Sequence, residues 1–129
     1  MRAAVLDSSA VIALLTAEPG DDRVRGRLSG AMISSVNLAE VVAYFARRGA
    51  SRDAVMAIVA SLPIDVVAFD LELAATAGML VAATREAGLS LGDCACLALA
   101  ASRGADAFTG DRAWRKIASD VGVDIVVIR

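Results

Sequence analysis

The chain contains no histidine among its 129 residues. A Ser-His-Asp triad, a Cys-His pair, an HExxH metalloprotease helix and a Cys2His2 zinc finger are therefore excluded. Any acid–base chemistry must come from carboxylates, lysine, tyrosine, cysteine or water on a metal. Aromatic residues make up only 4% of the chain, so the core must be built from Ala, Val, Leu and Ile. The two prolines, Pro19 and Pro63, both fall between candidate elements. The two cysteines, Cys94 and Cys96, stand one residue apart. On a helix that spacing points the thiols to different sides, so neither a mutual disulfide nor a zinc site is expected. They read as small buried apolar side chains in a reducing compartment. An excess of one charge is also missing. Fifteen acids against thirteen bases leave a net charge of -2, which argues against binding nucleic acid through bulk positive charge. A local basic rim around a metal would still serve. Charge-free stretches such as Leu73 to Thr84 run for about a dozen residues, below the roughly 18 that a membrane span needs. The opening MRAAVLDSSAVIALL reaches Asp7 at once and lacks a clear processing site. It reads as a strand and a helix, not a signal peptide, and a cytoplasmic protein with no membrane contact is expected.

What is present is apolar. Hydrophobic residues make up 57% of the chain, enough for a core in a single domain over residues 1–129. Ala3 to Leu6 reads as a buried strand ending at Asp7. Ser8 and Ser9 are candidate caps for a helix over Ala10 to Thr16, stopped by Pro19-Gly20. A short charged helix over Asp21 to Leu28 precedes a minimal strand at Met32 and Ile33. Ser34 or Ser35 caps a helix over Asn37 to Arg48, whose Leu38, Val41, Val42 and Phe45 share a face. Another helix runs from Ser51 to Leu62, and Ile64 to Phe69 is strand-like. A long helix begins at Asp70 and ends near Gly88. Ser90 and Asp93 have the form of a capping box for a helix that ends at Gly104. Ala107 and Phe108 form a short strand, and Thr109-Gly110-Asp111 turns into a last helix with Trp114 and Ile117 on its packed side. Val123 to Ile128 is the closing strand. The alternation implies a three-layer α/β/α sandwich with a mainly parallel sheet. In such folds ligands bind beyond the carboxyl ends of the strands.

Four acids lie at those ends or in the first turns of helices: Asp7, Glu40, Asp93 and Asp111. Each has a plain structural explanation alone, as a turn residue, a cap or a solvated charge. Together they point further. Carboxylates gathered within a few ångströms repel one another unless a hard cation sits among them. Oxygen donors favour Mg2+ or Mn2+, and a water kept by such an ion can act as a nucleophile, which points to metal-assisted phosphodiester hydrolysis.

The segments carrying these acids are Val5-Leu6-Asp7-Ser8-Ser9-Ala10, Ser35-Val36-Asn37-Leu38-Ala39-Glu40-Val41, Leu89-Ser90-Leu91-Gly92-Asp93 with the apolar run behind it, and Phe108-Thr109-Gly110-Asp111-Arg112-Ala113-Trp114. In this order and at these spacings they resemble the PIN domain family, most closely the VapC-like toxins of type II toxin–antitoxin systems, over essentially the whole chain. The resemblance implies a parallel five-stranded sheet and an endoribonuclease using Mg2+ or Mn2+. It matches Asp7, Glu40 and Asp93 to three core acidic positions and Asp111 to a fourth. Ser9 matches a small hydroxyl residue beside the first acid, and Thr109 a polar residue before the fourth. It also implies an RNA substrate, a small antitoxin partner that blocks the acidic pocket, and a homodimer. The expected products carry 5′-phosphate and 3′-hydroxyl ends, by a route that needs no histidine.

Arg85, Arg112 and Lys116 are candidate contacts for RNA phosphates flanking the site, with ordinary helix-surface charge as the plain alternative. The charge-free first helix and the apolar segment from Ser51 to Leu80 suggest surface covered by a partner. Two other readings stay open. A receiver-like regulatory domain would use clustered acids for phosphoacceptance, yet only Asp7 ends the first strand, and Lys116 is the sole lysine. A non-catalytic protein-interaction domain would need no metal.

Overall fold

The computed structural model describes residues 2–129. Five strands, β1 (Ala4–Leu6), β2 (Ala31–Ser34), β3 (Ile64–Val67), β4 (Asp106–Thr109) and β5 (Ile125–Val127), form one sheet in the order β3-β2-β1-β4-β5. Every pairing is parallel. The helices are α1 (Ser8–Thr16), α2 (Asp21–Arg25), α3 (Ser35–Ala46), α4 (Arg52–Ala60), α5 (Leu71–Ala83), α6 (Leu91–Arg103) and α7 (Ala118–Val121). This is the expected three-layer sandwich with a parallel five-stranded sheet. In receiver-like modules the first strand lies between the second and third. Here β1 lies between β2 and β4, which removes that alternative.

Alternation along the strands builds two cores. Leu6, Ile33 and Phe108 face α1 and α3 in one cluster with Val11 and Val41. Their neighbours Val5, Met32 and Ala107 face the other side, packed with Leu97, Leu99 and Trp114. The three central strands are thus buried on both faces, as their continuous apolar runs require. In α6, every residue from Cys94 to Ala100 is fully buried, and both cysteines are free thiols. Asp106, the buried acid that opens β4, lies at the opposite end of that strand from Thr109 and pairs there with Arg2 and Arg27, each at 2.9 Å.

Several boundaries differ from the sequence reading. Neither Ser8 nor Ser9 caps α1. Asp7 does, because its backbone is extended and its carboxylate accepts from the Ala10 amide, so the helix starts at Ser8. The long helix from Asp70 stops at Ala83. Thr84 leaves helical geometry with its hydroxyl donating to Leu80 O at 2.7 Å, and a separate 3-10 turn spans Arg85–Ala87. The last helix is a 3-10 helix over Arg112–Ile117 followed by α7. Among the described residues, no helix is long and apolar enough to cross a membrane.

Candidate functional site

The strand order reverses between β1 and β4, and Leu6 pairs with Phe108 there. The crevice at that reversal, beyond the strands' carboxyl ends, is where open parallel sheets bind ligands. Asp7 leaves β1 into it and Thr109 ends β4 beside it.

Asp7 is buried, and protein donors hold both its oxygens. Oδ1 accepts from Ser9 Oγ at 2.7 Å and from the Ala10 amide at 2.8 Å. Oδ2 accepts from Thr109 Oγ1 at 2.6 Å. Thr109 Oγ1 in turn accepts from the Asp111 amide at 3.0 Å, and Ser9 Oγ from the Gly110 amide at 2.8 Å. The two hydroxyls therefore tie the end of β1 to the turn after β4. Burial pushes the Asp7 carboxyl up to about 6, against the three hydrogen bonds, which favour its ionised form; the nearby charge of Asp93 adds to the rise.

Glu40 comes from α3, one turn after Asn37. Asn37 Nδ2 donates to Glu40 Oε1 at 2.8 Å and to Gly92 O at 3.0 Å. The glutamate thus lies against the first turn of α6, where a Cβ on Gly92 would fall 2.5 Å from Oε2. Asp93 is the next residue. It forms the expected capping box: Ser90 Oγ accepts from the Asp93 amide at 3.1 Å, and Asp93 Oδ2 accepts from the Ser90 amide at 2.9 Å. Asp111 caps the 3-10 helix, accepting from the Ala113 amide at 2.9 Å. Asp7, Asp93 and Asp111 thus each spend an oxygen on a helix N-terminus, whose partial positive charge suits an acid.

Burial first, and then the charges of Asp7, Asp93 and Glu40, push the buried Cys96 thiol well above the usual thiol range. Asp111 is not among those charges; its link to Asp7 runs through Thr109. Among the described residues, no Lys or Arg forms an ion pair with any of the four acids. Asp93 Oδ1, Asp111 Oδ2 and Glu40 Oε2 accept no hydrogen bond among the described residues. Acidic oxygen donors without a basic partner are the set a hard divalent cation takes. Among the described residues, no three Asp, Glu or Cys side chains stand close enough to enclose an ion as they are.

The expected basic rim is dispersed. Arg85 and Lys116 share the wall of a separate cavity of about 380 Å³ with Glu86 and Asp120, and none of the four acids lines it. Arg112 folds back, its Nε donating to Arg129 O at 3.1 Å. Two residues beside the acids carried no assigned role in the sequence reading. Asn37 was legible from its position one turn before Glu40. Arg129, whose Nη2 lies 3.0 Å from where a Cβ on Gly110 would stand, had no local signal.

A profile of the PIN domain matches residues 4–120. A comparison with curated protein sequences finds no match. Among solved structures, the chain is similar to a toxin–antitoxin complex from Klebsiella pneumoniae, at 18% identity and TM-score 0.74 over 98% of each chain. It is similar to VapC20 of Mycobacterium tuberculosis, described as a sarcin-ricin loop cleaving toxin, at 23% identity and TM-score 0.74 over 98% of this chain and 99% of that one. It is also similar to DNA-bound VapBC from Salmonella typhimurium, at 22% identity and TM-score 0.72 over 98% of each chain. At these identities the likeness is one of fold.

Proposed function

The chain belongs to the PIN domain family, and on that premise we propose that it is a metal-dependent endoribonuclease acting as the toxin of a toxin–antitoxin pair. The observation that carries the reading is that Glu40 is held against the first turn of α6 next to Asp93, and Asp7 against the turn that leads to Asp111, with no basic partner for any of the four among the described residues. Asp7, Glu40, Asp93 and Asp111 would hold Mg2+ or Mn2+, which supplies charge neutralisation at a phosphate and an activated water. The chain's own residues do the rest. Ser9 and Thr109 fix both oxygens of Asp7, so the buried carboxylate has one orientation. Asn37 holds Glu40 against α6. The capping box fixes Asp93 through Oδ2 and leaves Oδ1 to accept a proton from water. Hydrolysis by this route leaves 5′-phosphate and 3′-hydroxyl ends and uses neither histidine nor the RNA 2′-hydroxyl.

Two apolar surfaces support the expected protein partners. A groove of about 530 Å³ between α3 and α4, lined by Leu38, Val42, Ala46, Val55 and Met56, suits an apolar segment of an antitoxin. The outer face of α5 exposes Leu71 and Met79 and suits a second copy of the chain. A cytoplasmic location follows from the same reading.

The test is cleavage of end-labelled small RNA by the purified, partner-free chain and by Asp93→Asn, each with Mn2+ or with EDTA. The expected result is discrete fragments with 5′-phosphate ends from the unaltered chain with Mn2+ alone. Intact RNA across all classes, with a folded protein that binds Mn2+, overturns the reading.

A further inference from the structure

Arg129 leaves β5 at the same end of the sheet as the four acids. The Ile128 amide continues the β4–β5 ladder by donating to Thr109 O at 2.9 Å, so the next residue falls beside the Gly110-Asp111 turn. The corner between α1 and α2 fixes this segment at three points. Arg23 donates to Val127 O at 3.2 Å, Gly20 lies flat against the Ile128 carbonyl, and Glu18 Oε1 pairs with Arg129 Nη1 at 3.2 Å. Gly20 has a φ of +97°, and a Cβ there would collide with that carbonyl, so only glycine permits the approach.

The guanidinium is thereby aimed. A Cβ on Gly110 would meet Arg129 Nη2 at 3.0 Å, Arg129 Cζ at 3.1 Å and Ser9 Oγ at 3.3 Å. Gly110 is not in a left-handed conformation, so backbone geometry does not demand glycine. The space it leaves is bordered by the guanidinium and by Ser9, whose hydroxyl holds Asp7. That cation pairs with Glu18 and, among the described residues, forms no ion pair with the four acids. Nη1 is spent on this pair, and Nη2 faces the Gly110 turn. A guanidinium with an unspent edge at the rim of a carboxylate site suits a phosphate oxygen.

We propose that Arg129, anchored by Glu18 in the space left by Gly110, binds a phosphate of the RNA that lies across the acidic site. The proposal rests on the ribonuclease reading above. It replaces the dispersed rim of Arg85 and Lys116 with one preorganised cation, and Glu18 acts as its positioning residue.

The experiment compares the unaltered chain, Arg129→Gln and Glu18→Gln in Mn2+-dependent cleavage of one labelled single-stranded RNA, over a range of salt. Either variant breaks the ion pair, but only Arg129→Gln removes the phosphate-binding charge. The expected result is a KM raised about five- to tenfold for Arg129→Gln, with kcat within about twofold, as for loss of uniform binding. Its salt dependence should weaken by about 0.7 in log–log slope, the share of one phosphate contact on a single strand. Glu18→Gln should raise KM by a smaller factor, because the charge remains but is no longer held in place, and should keep the salt slope of the unaltered chain. Equal changes in both variants would make the pair merely structural and overturn the proposal, as would no change in either. Failure of the unaltered chain to cleave would overturn the ribonuclease reading and this proposal with it.

Discussion

Glu40 and Gly92 are in contact in a way that only glycine permits. The carboxylate of Glu40 occupies the space of a Cβ on Gly92, which would fall 2.5 Å from Oε2 and 2.9 Å from Cδ. Gly92 lies in the first turn of α6, and its backbone is not in the left-handed region, so the helix itself does not demand glycine there. Gly92→Ala should therefore fold with nearly unchanged thermal stability, because the atoms in the way end a flexible side chain. Glu40 would be driven off Asn37 and away from Asp93. Cleavage should fall at least about tenfold, the scale seen when support for a metal ligand is lost. Full activity would show that Glu40 need not lie where Asn37 holds it.

Thr109 is the hinge between two acids. Its hydroxyl donates to Asp7 Oδ2 and accepts from the Asp111 amide. Thr109→Val keeps the shape and removes both bonds. The loss should cost about 1–3 kcal/mol, measured by denaturant unfolding, because a buried carboxylate oxygen is left without its donor. It should also weaken Mn2+ binding, measured by calorimetry, by about tenfold or more. Lost stability with unchanged Mn2+ affinity would assign Thr109 to folding alone.

The fold was legible where the pattern was local. Apolar runs ending at Asp7 and Phe108 marked strands buried on both faces, and Ser90 with Asp93 marked a helix start that the structure confirms. That β1 and β4 are neighbours was not legible, since pairing residues a hundred positions apart leaves no local signature. The placing of Asp7 beside Thr109 depends on that pairing, and the placing of Glu40 beside Gly92 depends on the seating of α6. Sequence spacing grouped Arg112 and Lys116 with Asp111, but the 3-10 geometry of Arg112–Ile117 sends Lys116 to a different cavity. Arg129 was invisible for the opposite reason: its relation to Gly110 is made by the β4–β5 ladder and the α1–α2 corner.

The outer face of α5 bears on assembly. Leu71 is 82% exposed and Met79 74%, and Glu72 is the helix's single charged residue. Apolar surface of this kind on a helix marks a protein contact. If a second copy covers it, Met79→Glu should weaken self-association about tenfold or more, since it buries an unpaired charge at the contact. Sedimentation over a range of concentrations reads this directly. Identical profiles for the two proteins would remove α5 from the dimer surface. Cleavage per chain tests whether the site needs its partner.

Asp7 makes stability and activity oppose each other in a pH-dependent way. Its carboxyl titrates at about 6 in the folded chain, above the ordinary carboxylate range, because burial disfavours the charged form. The folded state therefore binds the Asp7 proton more tightly than the unfolded state does. The stability this contributes is fully present below the unfolded value and is lost as pH rises through about 6. The gap corresponds to about 3 kcal/mol. Asp7→Asn removes the titration and keeps a polar group of the same shape. In EDTA, the stability difference between Asp7→Asn and the unaltered chain should thus grow in the variant's favour from about pH 4 to about pH 8, by up to about 3 kcal/mol. Taking the difference cancels the titration of acids that do not interact with Asp7. Adding Mn2+ at the higher pH should stabilise the unaltered chain more than the variant, because the ion binds the folded carboxylates. Cleavage should be lost in Asp7→Asn throughout. A difference that does not move with pH would mean that solvent reaches Asp7 in the folded chain.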